Sequence, residues 1–223
     1  MKVAVLQFPG TNCEFDAKYA FEKLGCEVNV IWHKETKLPE NTDLVVVPGG
    51  FSYGDYLRSG AIARFANIME DVKKFAQNGG KVLGICNGFQ ILLEAGLLPG
   101  AMKRNDTLHF ISKHHNLKVV NNNNTFLQLL NVNDVVNIPV AHHDGNYFID
   151  ENGLKDLEEN NQILLKYCDS NGNLSNMNGS VSNIAGICNK ERNVFGLMPH
   201  PERAIEDILG STDGVNMLRG FLK

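Results

Sequence analysis

One stretch of the sequence joins a strand pattern to a helix pattern through a cysteine between two glycines: Lys81-Val82-Leu83-Gly84-Ile85-Cys86-Asn87-Gly88. The short apolar run before the cysteine predicts a strand, and the apolar spacing after Gly88 predicts a helix. Glycines on either side of such a cysteine relieve crowding in a sharp strand-to-helix turn. The stretch therefore predicts an α/β fold in which the side chain of Cys86 stands above the end of a strand.

Strand and helix patterns alternate on the N-terminal side of this turn. The predicted strands are Val3–Phe8, Val28–Trp32, Leu44–Val47 and Lys81–Ile85. Two helices are predicted between them: one over Ile62–Gln77, and one whose apolar rhythm runs through Phe15, Tyr19, Ala20 and Leu24. This alternation predicts a parallel sheet with helices on both faces.

The second half of the chain has strand patterns separated by turns, which favours antiparallel pairing. These strands are Leu117–Val120, Val135–Val140, Ile163–Tyr167, Ile184–Ile187 and Val194–Met198. A closing helix is predicted over Ile205–Phe221, and no linker composition divides the chain. The expected fold is therefore α/β in one domain, residues 1–223, with a central, mostly parallel sheet flanked by helices and additional antiparallel strands in the second half.

Composition excludes several classes of protein. The chain has 223 residues, of which 43% are hydrophobic and 21% charged, so it is not a disordered, collagen-like or coiled-coil protein. Its formal net charge of -4 gives no electrostatic reason to expect a nucleic acid or a membrane surface as partner. Small molecules or other proteins are the expected partners.

Cysteine usage and the N-terminal sequence predict a reducing, cytoplasmic setting. The five cysteines form no C-x-x-C pair, which argues against a disulfide framework and a structural zinc site. The first residues run directly into a strand pattern without the features of a signal peptide. No stretch approaches 18 uninterrupted apolar residues. We therefore expect no metal, and at least one cysteine can serve as a reactive thiol.

Cys86 is the strongest candidate for that thiol. The helix that follows would direct its N-terminal N–H groups and positive dipole end at the sulfur, which favours the thiolate. The turn also places the amide of Asn87 where an oxyanion would form. The alternative is an inert buried cysteine in a glycine-rich turn, because free cysteine often behaves as a small hydrophobe.

A thiol nucleophile needs a base, and His200 is the best placed of the seven histidines. It follows a predicted strand and has a carboxylate two residues later, in Met198–Glu202. Two prolines are expected to hold the segment extended, so that His200 and Glu202 project to the same side. Glu202 would then orient the imidazole and stabilise its cation. The alternative is a proline-stiffened turn with a surface glutamate.

The third strand ends in Pro48-Gly49-Gly50, which allows backbone N–H groups to approach a ligand. With Asn87, Gly50 would complete an oxyanion hole; the alternative is an ordinary βα turn. The chain has neither G-x-G-x-x-G nor G-x-x-x-x-G-K-[ST], so no dinucleotide or ATP binding is expected in it.

Four segments together resemble the class I (triad) glutamine amidotransferases, and within them the glutaminase subunits of phosphoribosylformylglycinamidine synthase. They are Val5–Cys13, Pro48–Tyr56, Gly84–Gln90 and Met198–Arg203. The resemblance covers nearly the whole chain and implies a flavodoxin-like α/β fold.

The resemblance also implies a role for each site residue. Cys86 would be the nucleophile, His200 the general base and acid, and Glu202 the residue that orients His200. Oxyanion donors would lie near Gly50 and Asn87. The Gly49-Gly50 loop and Gln90 would contact glutamine.

The reaction implied by the resemblance is hydrolysis of the side-chain amide of L-glutamine through a γ-glutamyl thioester. Ammonia would pass to a large synthetase subunit, which uses ATP and Mg²⁺ to convert formylglycinamide ribonucleotide to the amidine in purine biosynthesis. A small accessory subunit would bridge the two. No cofactor is then expected in this chain.

The segment Ala141–Gly145 departs from the family pattern, which has a histidine, a small residue, glutamate and glycine. His143 and Asp144 occupy the varied positions, so this loop need not contact glutamine or the synthetase in the usual way. Two histidines and an aspartate suggest a metal site, but adjacent loop residues rarely chelate one ion.

Two other classes of function are weighed against the glutaminase. A cysteine hydrolase or peptidase of similar fold also needs a nucleophile turn and a histidine, but the i, i+2 pair of His200 and Glu202 and the Gly49-Gly50 loop fit the amidotransferase better. A non-catalytic binding module would lack a member of the triad, and none is lacking.

Overall fold

The computed structural model describes all 223 residues, Met1–Lys223. Eleven strands are present: β1 (Lys2–Gln7), β2 (Glu27–Trp32), β3 (Leu44–Val47), β4 (Lys81–Ile85), β5 (Ala101–Lys103), β6 (Ile111–Val119), β7 (Val135–His142), β8 (Asn146–Phe148), β9 (Ile163–Cys168), β10 (Ile184–Cys188) and β11 (Val194–Leu197). Five α-helices lie between and after them: α1 (Glu14–Lys23), α2 (Asn67–Gln77), α3 (Asn87–Glu94), α4 (Glu151–Glu159) and α5 (Gly214–Arg219). The longest, α2, has 11 residues, and no helix combines the length and apolarity needed to cross a membrane.

Nine strands form one mixed sheet in the order β2-β1-β3-β4-β11-β10-β9-β6-β7, and β5 and β8 form a separate two-stranded antiparallel sheet. The strands from β2 to β11 in this order are parallel, and those from β11 to β7 are antiparallel. The predicted fold class is confirmed. β3 and β4 have the predicted boundaries, and each is buried along nearly its whole length, as strands covered on both faces should be.

β11 is the strand at which the parallel and antiparallel parts of the sheet meet. It pairs with β4 in parallel and with β10 in antiparallel register. Because the carboxyl ends of parallel neighbours lie at the same edge, the residues after β3, β4 and β11 converge there. These are the segments that carry Gly50, Cys86 and His200.

The face that α1 buries differs from the predicted one. Ala17, Ala20 and Phe21 are fully buried against the sheet, whereas Phe15 and Tyr19 are 63% and 50% exposed. The apolar rhythm therefore identified the helix but assigned part of its outer surface to the core. Two aromatic side chains remain on the outside of α1.

Both long helices that the sequence predicts are interrupted. The predicted helix over Ile62–Gln77 is wrong in its first turn, because Ala66 is extended and separates a short 3-10 turn from α2. The predicted helix over Ile205–Phe221 is wrong over much of its length. Gly210 has a left-handed backbone with φ of 89°, which ends a 3-10 turn at Leu209. α5 begins only at Gly214, where a Cβ atom would lie 2.0 Å from the carbonyl oxygen of Pro201.

Candidate active site

Cys86 lies on a strained turn between β4 and α3. Its φ and ψ are 51° and -108°, a conformation that costs an L-residue roughly 1–3 kcal/mol. A Cβ on Gly88 would lie 1.8 Å from the carbonyl oxygen of Val47, and a Cβ on Gly84 would lie 2.6 Å from Leu92 Cδ1. The two glycines are therefore required by close approach of the neighbouring backbone and helix. The predicted nucleophile turn is present.

His200 and Glu202 form a buried pair next to Cys86. His200 Nδ1 lies 2.7 Å from Glu202 Oε1, and the two residues are only 1% and 2% exposed. His200 Nε2 has no hydrogen-bond partner in the protein. A Cβ on Gly49 would lie 2.8 Å from His200 Cε1 and 3.4 Å from Cys86 Cβ, so the imidazole and the nucleophile both pack against this glycine.

The backbone that makes this pair is not the predicted one. The sequence predicts an extended segment, but Pro201–Arg203 is a 3-10 turn whose first residue is the proline. Proline suits the first position of a helical turn because it has no N–H to leave unpaired. The turn brings the carboxylate of Glu202 back to the ring of His200, so the residues meet for a reason different from the predicted one.

Electrostatics favour a charged imidazole. Burial alone would lower the pKa of His200, but the carboxylate of Glu202 and the side chain of Cys86 together raise it to about 10. The ring is thus protonated near neutral pH. The Sγ atom of Cys86 also lies 3.6 Å from the carbonyl oxygen of Ala141.

Asn87 ties the loop after β3 to the start of α3. Its Oδ1 accepts a 3.0 Å hydrogen bond from the N–H of Ser52, and its Nδ2 donates to Asp55 Oδ1 at 3.2 Å and to Gln90 Oε1 at 2.8 Å. As the first residue of α3, Asn87 has a backbone N–H that the helix itself does not use. Gly50 lies opposite with φ of 134°, where a Cβ would meet the backbone of Asn12 at 2.6 Å.

A cavity of about 440 Å³ opens in front of Cys86. Its polar lining comes from four segments: Asp55, Arg58 and Ser59; Gln90; Arg104; and His142, His143 and Asp144. Gly50 and Cys86 complete the inner end, so the structure brings Gly50, Cys86 and Gln90 to one space. Gln90 Nε2 donates to the carbonyl oxygen of Asp144 at 2.5 Å.

The sequence reasoning missed a pair of carboxylates in this cavity. Burial, and to a smaller extent the charge of Asp144, raise the pKa of Asp55 to about 6, against hydrogen bonds from Ser59 and Asn87. Asp144 Oδ2 accepts a 3.1 Å hydrogen bond from Ser59, and Asp144 Oδ1 lies 3.5 Å from Arg104 Nε. The signal for Asp144 was its place in the segment that departs from the family pattern. Asp55 lies within the segment Pro48–Tyr56 and has no sequence signal of its own.

The loop after β7 forms one wall of the cavity. His142 is buried, and its Nδ1 lies 3.1 Å from Asn105 Oδ1. Burial and the charge of His200 lower the pKa of His142 to about 4, which keeps it neutral. The loop is thus held by hydrogen bonds within the wall.

The residues closest to a metal-binding arrangement are Cys13, His200 and Glu202, whose ligand atoms all lie within 4.8 Å of one another. Arg203 Nη2 donates to Cys13 Sγ at 3.2 Å, which brings a fixed positive charge to the same place. Burial and the charge of Glu202 raise the pKa of Cys13, so its thiol is protonated. This chemistry does not suit a divalent cation.

Comparison with known proteins decides the family. Residues 1–214 match the model of the CobB/CobQ-like glutamine amidotransferase domain. The PurQ subunit of phosphoribosylformylglycinamidine synthase from Sulfurimonas denitrificans is 69% identical over the full length of both chains. The chain belongs to this family of glutamine amidotransferases.

Further relatives place the chain within the amidotransferase family. The PurQ subunit of Wolinella succinogenes is 63% identical over 99% of each chain. A solved structure of PurLQS from Thermotoga maritima superimposes with a TM-score of 0.89 at 40% identity, covering 99% of this chain and 97% of that one. The resemblance to glutaminase subunits of this synthase, and the class of enzyme predicted from it, are confirmed.

A more distant structure shows the same amidotransferase fold. The glutaminase domain of Trypanosoma brucei CTPS, solved with bound acivicin, has a TM-score of 0.61 at 13% identity and covers all of this chain and 94% of that one. At this identity the likeness shows the fold alone. The fold is therefore retained where the sequences have largely diverged.

Proposed function

We propose that the chain hydrolyses L-glutamine with a Cys86-His200-Glu202 triad and supplies the ammonia to the synthetase of phosphoribosylformylglycinamidine synthase, in purine biosynthesis. The observation that carries this proposal is the buried 2.7 Å pair of His200 and Glu202 beside a cysteine on a strained turn. A cysteine kept only for packing would need neither the positive φ nor a charged imidazole next to it.

The first half of the reaction forms a thioester. The thiolate of Cys86 attacks the side-chain carbonyl carbon of glutamine, and a C–S bond forms as the carbonyl oxygen becomes an oxyanion. The tetrahedral intermediate collapses when His200 Nε2 gives its proton to the amide nitrogen. The C–N bond breaks, ammonia leaves, and a γ-glutamyl thioester and a neutral His200 remain.

The second half regenerates the thiolate. A water molecule attacks the thioester carbonyl while His200 Nε2 takes one of its protons. Collapse of this second intermediate breaks the C–S bond and releases glutamate. Glu202 stabilises the imidazolium at the beginning and end of the cycle, because its Oε1 holds the Nδ1 proton in place.

The developing oxyanion is stabilised by backbone donors. The N–H of Asn87 is free at the start of α3, and Gly50 lies at the inner end of the same cavity. A single donor of this kind is worth roughly 100- to 1,000-fold in kcat. The Gly49-Gly50 loop owes its position to the bond between Ser52 and Asn87, which ties it to the nucleophile turn.

The carboxylates of the cavity orient the substrate. L-glutamine carries an α-ammonium and an α-carboxylate, and the cavity offers Asp55 and Asp144 for the first and Arg104 for the second. Gln90 bonds to the backbone of Asp144 and so holds that wall in place. Charge-assisted pairs of this kind select an α-amino acid over a simple amide.

The proposed partners of this chain are inferred from its relatives. The curated relatives are subunits of a synthase, and the solved PurLQS structure contains a chain like this one. We propose that ammonia passes to a large synthetase subunit, that ATP and Mg²⁺ act there, and that a small accessory subunit completes the assembly. This chain needs no cofactor of its own, because cysteine and histidine suffice for the hydrolysis. A cytoplasmic location and the absence of nucleic-acid and membrane partners stay predictions.

We also propose that residues 1–223 fold as one domain. Its support is a hydrophobic cluster of 56 buried residues that includes members of both the parallel and the antiparallel part of the sheet. Limited proteolysis should then yield no stable fragment. A resistant fragment with a cooperative unfolding transition would contradict this.

Release of glutamate from L-glutamine tests the function, with the purified chain alone and combined with the other synthase subunits. Cys86→Ala should abolish release in both, and Cys26→Ala, a buried cysteine near the start of β2, serves as the matched control. Hydroxylamine should trap a γ-glutamyl hydroxamate from the thioester. Full activity of Cys86→Ala would contradict the proposal. Peptide hydrolysis that depends on Cys86, without glutamine hydrolysis, would favour a peptidase.

A further inference from the structure

Cys86 lies between two cavities. The first is the cavity of about 440 Å³ described above, which we call the glutamine cavity, and the second has a volume of about 190 Å³. Both cavities have Gly50, Phe51, Cys86 and Ala141 in their walls. The second cavity is completed by five residues that do not line the glutamine cavity: Asn12, Cys13, Phe110, His200 and Arg203. The general base of the proposed triad therefore lies on the side of the second cavity.

The tetrahedral intermediate of the proposed reaction fixes where the leaving nitrogen lies. Four groups diverge from its central carbon: the sulfur of Cys86, the oxyanion, the glutamyl chain and the nitrogen. The chain extends into the glutamine cavity toward Asp144, and the oxyanion faces the backbone N–H of Asn87. The nitrogen has to lie within hydrogen-bond reach of His200 to receive its proton. It is thus released on the side of the second cavity.

The second cavity offers this nitrogen a separate way out. When the C–N bond breaks, the γ-glutamyl chain stays on the sulfur and lies between the ammonia and the mouth of the glutamine cavity. The second cavity has room for a few molecules of the size of water. Cys13 and His200 belong to its buried inner end. Asn12, Phe51 and Phe110, which are exposed, form its outer end.

The two cavities differ in charge. Asp55 and Asp144 line the glutamine cavity, whereas none of the 9 residues that line the second cavity is a carboxylate. Arg203 Nη2 donates to Cys13 Sγ at 3.2 Å in the second cavity, and burial raises the pKa of this thiol and keeps it neutral. Asp16, which bonds Arg203 Nε at 2.9 Å, does not line the cavity. A wall of this kind disfavours an ammonium cation and accepts a neutral molecule.

We propose that the second cavity receives the ammonia released from glutamine and conducts it, as the neutral molecule, to an opening between Asn12, Phe51 and Phe110. The inference rests on the proposed function. Neutral ammonia is the form that the synthetase needs, because only the unprotonated nitrogen has a lone pair with which to attack an electrophile. The water that hydrolyses the thioester would take the place of the ammonia, since His200 must reach its proton too.

The ratio of amidine formed to glutamate released by the assembled synthase tests the route. Phe110→Ala opens a gap at the outer end of the second cavity, so ammonia should escape and the ratio should fall roughly twofold or more. Amidine formation from added ammonium chloride should not change, because it does not use this route.

Leu57→Ala is the matched control for Phe110→Ala. Leu57 is a 90% exposed apolar residue that lines the glutamine cavity and not the second cavity. Whatever Leu57→Ala does to KM, it should leave the ratio of amidine to glutamate at the wild-type value. A ratio that Phe110→Ala leaves unchanged, or that Leu57→Ala lowers as much, would overturn the proposal.

Cys13→Leu tests the inner end of the second cavity. Ligand atoms of Cys13 and His200 lie within 4.8 Å of one another, so a larger side chain there fills the space into which ammonia is released. We expect kcat for glutamate release to fall roughly tenfold or more with KM nearly unchanged, because the glutamine cavity is not altered. Cys13→Ser, which keeps the volume, should lose far less. Wild-type kcat in Cys13→Leu, or an equal loss in Cys13→Ser, would contradict the assigned role of this space.

Failure of this route and failure of the proposed function can be told apart. If Cys86→Ala retains glutaminase activity, the proposed function fails whatever the second cavity does. If Cys86→Ala is inactive but Phe110→Ala and Cys13→Leu behave as wild type, only the route through the second cavity fails.

Discussion

The two sides of Cys86 differ in their access to water. On the triad side, His200 and Glu202 are almost fully buried. On the cavity side, the side chains of Asp144 and Arg104 are 24% and 62% exposed. Charges interact more strongly where water is excluded. In the proposed reaction, proton transfer takes place on the buried side, and the substrate enters on the solvent-exposed side. We therefore expect substitutions on the triad side to change mainly kcat and substitutions on the cavity side to change mainly KM.

The largest effect should come from the nucleophile and its base. Cys86→Ala and His200→Ala should each lower kcat by at least about 10,000-fold, and the double variant should be little worse, because residues of one catalytic unit are not additive. Single-turnover assays of glutamate release measure this. Additive losses would mean that the two side chains do not act together.

Glu202→Gln should have the next largest effect. The amide cannot stabilise the imidazolium and can present the wrong group to Nδ1, which should lower kcat roughly 100- to 10,000-fold with KM nearly unchanged. Because Glu202 raises the pKa of His200, the variant should also titrate His200 at lower pH in an NMR experiment. An unchanged pKa of His200 would show that Glu202 does not stabilise the proton on the imidazole.

Asp144→Asn changes a side chain on the cavity side of Cys86. Loss of one charge-assisted contact to the α-ammonium should raise KM roughly 10- to 100-fold while kcat changes little. Asp106→Asn, an exposed aspartate near the same loop, is the matched control. Glutaramate, which lacks the α-ammonium, should bind the wild type more weakly than glutamine does, and Asp144→Asn should not weaken the binding of glutaramate further. Weaker binding of glutaramate to the variant than to the wild type would show that Asp144 does not act through the α-ammonium.

The smallest effect should be a pH dependence from Asp55. Its raised pKa of about 6 means that it is ionised above that pH and neutral below it. Attraction to the α-ammonium is therefore present above about pH 6 and lost as pH falls through it, so kcat/KM should decline a few-fold on the acid side. Asp55→Asn should remove this decline of kcat/KM at acid pH. A decline that persists in the variant would arise from the titration of another group.

The nucleophile turn could be predicted from sequence because its signal is local: two glycines flank one cysteine where a strand pattern meets a helix pattern. The contact that requires Gly88, with the backbone of Val47, is distant in sequence and is seen only in the structure. The His200–Glu202 pair was also found, since two residues in close sequence meet in either an extended chain or a 3-10 turn.

Other features could not be predicted because they depend on distant parts of the chain. The burial of Phe21 in place of Phe15 is decided by where α1 rests on the sheet. Asp55 and Asp144 become a pair only when the loops after β3 and β7 meet around one cavity. The closing helix is cut short because α5 must begin against the backbone of Pro201, a contact with no local sequence signal.

The position of β11 has a consequence during protein synthesis. β11 lies beside β4 in the sheet but leaves the ribosome long after it, and His200 follows β11. A nascent chain that has already formed its first four strands therefore carries Cys86 but neither His200 nor Glu202. The proposed triad is complete only once the C-terminal segment has left the ribosome and β11 has inserted between β4 and β10.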